Sequence, residues 1–107
     1  MINWDRVNEL RHEVGDDDFA EVVTIFLDEV ESVMHRMRGA TSLESYREDL
    51  HFLKGSALNL GFRALGALCH EGQAPTGGDP AALAAHLAEV LRIYDRSKAE
   101  FLASAEP

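Results

Sequence analysis

The sequence is short of several things that commoner chemistries require. A single cysteine, Cys69, excludes an internal disulfide and leaves too few thiolates for a zinc ribbon or an iron–sulfur cluster. No apolar run approaches the roughly 18–20 residues needed to cross a bilayer. The opening MINWDRVNEL also lacks the apolar centre and small-residue cleavage site of a signal peptide. A cytoplasmic protein with no membrane association is therefore the expectation. Positive charge is scarce as well: 10 Lys and Arg against 19 Asp and Glu leave a net charge of −9, spread along the chain. That balance offers no electrostatic footprint for phosphate backbones or anionic lipids, so nucleic acid is a poor candidate partner. No stretch alternates apolar and polar residues cleanly enough for a strand.

What is present is helical periodicity. At 107 residues and 46% hydrophobic content, residues 1–107 make one domain with enough apolar material for one core. A first short helix is expected from about Asn3 to Glu13, burying Val7, Leu10 and Trp4 and ending at Gly15. A second begins at Asp16-Asp17-Asp18, whose carboxylates suit a helix N-terminus, and runs to about Arg38. Its stripe of Phe19, Val22, Val23, Phe26, Val30, Val33 and Met37 predicts a core face. Ser42 or Thr41 caps a third helix that Gly61 stops, and a fourth runs from about Phe62 to Glu71 with Leu65, Leu68 and Cys69. After the loop GQAPTGGDP, Asp79 and Pro80 open a last helix to about Ala103, with Leu83, Leu87, Val90, Leu91, Tyr94 and Phe101 on one side. The expected fold is all-α: an antiparallel four-helix bundle with a short N-terminal capping helix.

The third helix carries the stretch HFLKGSALNLGF, and its glycine costs about 1 kcal/mol relative to alanine. At about 100° per residue, with His51 at zero, Tyr46, Leu50, Leu53, Ala57 and Leu60 gather at roughly 180–260° as the buried face. His51 points the other way, accompanied by Arg47, Lys54, Gly55 and Leu58. An imidazole flanked by two cations, a bare stretch of backbone and an exposed leucine make an interaction surface that contains a nucleophile. Each piece has a plain alternative. A surface histidine is usually only that, Lys54 and Arg47 suit any solvated face, Ser56 can bond back to its own helix, and Gly55 can admit a neighbouring helix.

The combination resembles the histidine-containing phosphotransfer domain of phosphorelays. Its elements stand here in the family's order as His51, Lys54-Gly55-Ser56, Asn59-Leu60-Gly61, Leu65 and Cys69. Gln73 falls where the family usually has a glutamate or glutamine. The resemblance implies that His51 carries a phosphoryl group, supported by Lys54, Arg47 and Gln73, and that Gly55, Phe52 and Leu58 belong to a docking surface. It implies as partners the receiver domains of response regulators and of a hybrid histidine kinase, which supply an aspartate and a bound Mg²⁺. It further implies a monomeric phosphocarrier with no metal or cofactor of its own. The chain has no Gly-rich phosphate loop and no second lobe for ATP, so it is expected not to phosphorylate itself.

Two readings of other classes stand beside this one. Glu9 and His12 form a Glu-x-x-His pair of the kind used in di-iron bundles, on the short polar first helix. A helical adaptor that binds signalling partners without phosphotransfer would keep the bundle, and phosphate uptake at His51 separates it from a carrier. His12, His35, His70 and His86 have no comparable neighbours and are expected to be surface or helix-packing residues.

Overall fold

A computed structural model describes residues 1–39, 42–70 and 79–105. Five helices follow one another in the order α1 (Trp4–Val14), α2 (Asp16–Met37), α3 (Leu43–Leu60), α4 (Arg63–Leu68) and α5 (Pro80–Ala105). The boundaries have local chemical causes. Asn3 caps α1 by accepting from the Arg6 amide at 3.3 Å, and Ser42 caps α3 by accepting from the Ser45 amide at 3.1 Å. Asp79 does the same for α5, accepting from the Ala81 amide at 3.1 Å. Gly15 separates α1 from α2 at φ +87°.

Gly61 ends α3 in the left-handed conformation, φ +96°, with the amides of Gly61 and Phe62 both bonded to the Ala57 carbonyl. The same turn anchors the N-terminus. Asn3 donates to the Gly61 carbonyl at 2.7 Å, Ala64 donates to the Met1 carbonyl at 3.1 Å, and Ile2 pairs with Phe62 in an isolated antiparallel bridge. Arg6 then reaches from α1 to the backbone carbonyl of Asn59 at 2.9 Å. Together these contacts make α1 a lid strapped over the C-terminal end of α3.

Helices α2 and α3 run antiparallel, tied by Arg36 and Asp49, whose Nη2 and Oδ1 lie 2.7 Å apart. Asp49 is buried, and its Oδ2 has no hydrogen-bond partner among the described residues. Helix α5 runs antiparallel to α2, with Tyr94 and Lys98 both bonded to Glu31. Phe62, Phe101, Tyr94 and Trp4 form an aromatic cluster at one end, with centroids 5.6–6.3 Å apart.

The all-α bundle with its capping helix is as expected, with two corrections. On α2 the buried residues are Phe19, Val23, Leu27, Val30, Val33, Met34 and Met37. Val22 and Phe26 are only half-buried and pack against the core from its edge, while Leu27 and Met34 lie within it. Helix α4 stops at Leu68, short of Glu71, which lies outside the described residues; Cys69 closes the turn by donating to the Leu65 carbonyl at 3.0 Å.

Candidate functional site

His51 sits in the middle of α3 and is exposed. Its direction is set by the opposite face, where Tyr46, Leu50, Leu53, Ala57 and Leu60 are all buried, as the helical period requires. Arg47, Gly55 and Leu58 share the solvent side, with Lys54 half-buried at its edge. Phe52 is 41% exposed and Leu58 48%, so apolar surface lies near the imidazole.

The charge around His51 is available. Arg6, Arg36, Arg92 and Lys98 are each engaged by a carboxylate, whereas neither Arg47 nor Lys54 makes an ion pair among the described residues. Toward the N-terminus of α3, His51 and Arg47 line a shallow depression with Leu43, Glu44 and Glu48. The two glutamates are what a reading centred on cations misses. Their positions seven and three residues before His51 are the signal that finds them.

Gly55 leaves its surroundings open. A Cβ built there would meet no atom of the described residues within 4 Å, apart from its own helix backbone and its two chain neighbours. Space for a neighbouring helix is therefore not what this glycine provides. Gln73 lies outside the described residues.

A family model for the Hpt domain matches residues 21–100. The chain belongs to the Hpt domain family. Hpt domains are helical bundles that act as phosphocarriers in two-component signalling and interact with response-regulator receiver domains. No curated protein and no solved structure matches the chain. In this Hpt domain the family match leaves out α1 and the first residues of α2, so the lid is an addition to the matched region.

The remaining histidines of the Hpt domain divide in two. His12, His35 and His70 are exposed, while His86 is half-buried on α5 with its Nδ1 2.6 Å from the Tyr46 hydroxyl. Burial holds its imidazole below the ordinary value, with the Leu68 backbone offsetting part of that. Cys69 is also buried, which pushes its thiol up to about 12 and leaves it a packing residue. Glu9 is paired with Arg6, and no three His, Cys, Asp or Glu side chains among the described residues converge as a metal ion requires. No helix among those residues is long and apolar enough to cross a membrane.

Proposed function

We propose that His51 is the phosphoryl carrier of this Hpt domain, exchanging the group with the aspartate of a receiver domain. The observation that carries the proposal is the exposure of His51 beside an open glycine and two cations that make no ion pair among the described residues, within a chain of this family. A neutral ring nitrogen attacks the phosphorus of the receiver's aspartyl phosphate. The N–P bond forms as the P–O bond to the aspartate breaks, and the carboxylate leaves with the electron pair of that bond. The reverse transfer follows the same path.

Because phosphoryl transfer proceeds through a loose, highly charged arrangement, the chain's contribution is position and charge. Lys54 and Arg47 neutralise the phosphoryl oxygens, and Gln73 is a further supporting residue by its place in the motif. Phe52 and Leu58 supply apolar contact, and Gly55 lets receiver loops approach the helix beside His51. Mg²⁺ is supplied by the receiver, where it neutralises charge on the transferring group. The partners are response-regulator receivers and the receiver of a hybrid kinase.

The test is to incubate the protein with a receiver domain charged by acetyl phosphate and to map the transferred group. An acid-labile phosphoramidate on the peptide containing His51 supports the proposal. An acid-stable product, or a label on another residue, contradicts it.

A further inference from the structure

Leu58 is 48% exposed, yet its position is set by another helix. It lies against Gly66 on α4 so closely that a Cβ on residue 66 would stand 2.7 Å from Leu58 Cδ2 and 3.0 Å from its Cγ. Gly66 itself is buried. It does not need glycine for its backbone, since the described glycines with positive φ are Gly15 and Gly61. Glycine inside a helix costs about 1 kcal/mol relative to alanine. What residue 66 gains from being glycine is room, and the room is occupied by Leu58.

Leu58 stands seven residues after His51, on the same face and about 10 Å along the axis. Any side chain at 66 forces Leu58 to swing outward, into the surface over which a partner approaches His51. The swing is cheap for the fold, because half of Leu58 is already in water. A change that costs little stability can therefore alter the surface beside the imidazole.

We propose that Gly66 is a positioning residue for receiver docking: it seats Leu58 low against α4, so that the exposed leucine meets the receiver in one fixed place. The proposal rests on the docking role given to Leu58 above. Gly66 itself touches no partner.

The test uses the receiver domain, charged with acetyl phosphate, that transfers to the wild-type chain. Gly66→Ala is expected to raise the half-saturating receiver concentration about fivefold or more while leaving the maximal transfer rate nearly unchanged. Leu58 methyl resonances should move and the unfolding midpoint should barely shift. In a Leu58→Ala background, which lacks Cγ and Cδ2, adding Gly66→Ala should produce no further loss. Equal losses in both backgrounds, no change in the wild-type background, or a large drop in midpoint that Leu58→Ala does not relieve would each overturn the proposal. Phosphoramidate, which needs no docking, should label Gly66→Ala as it labels the wild-type chain. Failure of wild-type labelling by phosphoramidate and receiver alike would instead remove the phosphocarrier reading.

Discussion

The Tyr46 hydroxyl on α3 lies 2.6 Å from Nδ1 of His86 on α5, joining the helix that carries His51 to the last helix of the bundle. The phenol is held well above its ordinary range, chiefly by burial, so it stays protonated, and the tautomer of the imidazole decides which of the two groups donates. The Nε2 of His86 is buried without a hydrogen-bond partner among the described residues.

Protonation of His86 therefore works against the fold, and the sign follows. Its folded value is depressed below 6.5, so its contribution to stability is full above pH 6.5. As the pH falls below 6.5 the unfolded chain takes up the proton first, and stability declines until the folded value is passed. Urea midpoints measured from pH 8 to pH 5 should decline more steeply in the wild-type chain than in His86→Gln. Equal slopes would take His86 out of the pH dependence.

At Gly55, alanine has space and a better helix propensity. Gly55→Ala should leave the domain as stable or up to about 1 kcal/mol more stable, while transfer from a charged receiver slows. Gln at the same position should slow it further, because a longer side chain holds the receiver's aspartate away from the imidazole. Thermal melts and transfer rates on both variants check this. Transfer that ignores side-chain size would show that no partner approaches the backbone there.

Gly61 behaves in the opposite way. A Cβ at this left-handed position would lie 2.8 Å from Val7 Cγ2 and 2.9 Å from the Asn3 carbonyl, so both conformation and space oppose it. Gly61→Ala should cost about 2–4 kcal/mol, read as a lower chemical-denaturation midpoint. A shift below about 0.5 kcal/mol, the size of an ordinary surface change, would mean the lid and turn adjust freely.

Lys54 has no carboxylate partner among the described residues, so its removal should be felt in transfer and not in folding. Lys54→Ala is expected to slow phosphotransfer about ten- to a thousandfold, corresponding to about 1.4–4 kcal/mol of transition-state stabilisation. An unchanged rate in rapid-mixing experiments would make Lys54 an ordinary solvated residue.

The parts of this molecule legible in the sequence are those decided within one helix. The outward direction of His51 follows from five apolar residues on the other side of α3, and the ends at Ser42 and Gly61 follow from capping chemistry. What periodicity does not reach is decided by residues far apart in the chain. Leu27 and Met34 are buried while Val22 and Phe26 are half-buried, and which flank of α2 is covered is settled by how the other helices pack on it. The seating of Leu58 on Gly66 and the bond from Tyr46 to His86 are likewise tertiary. The burial of Asp49 depends on Arg36 of α2, which no pattern within α3 indicates.

The central claim is that His51 carries the phosphoryl group, and the most direct measurement compares transfer to the wild-type chain with transfer to His51→Gln from the same charged receiver. Since the side chain faces solvent, circular dichroism and the unfolding midpoint should be unchanged in the variant. The account predicts an acid-labile label on the wild-type protein and none on His51→Gln. A fully folded His51→Gln that accepts label at the wild-type rate would contradict it.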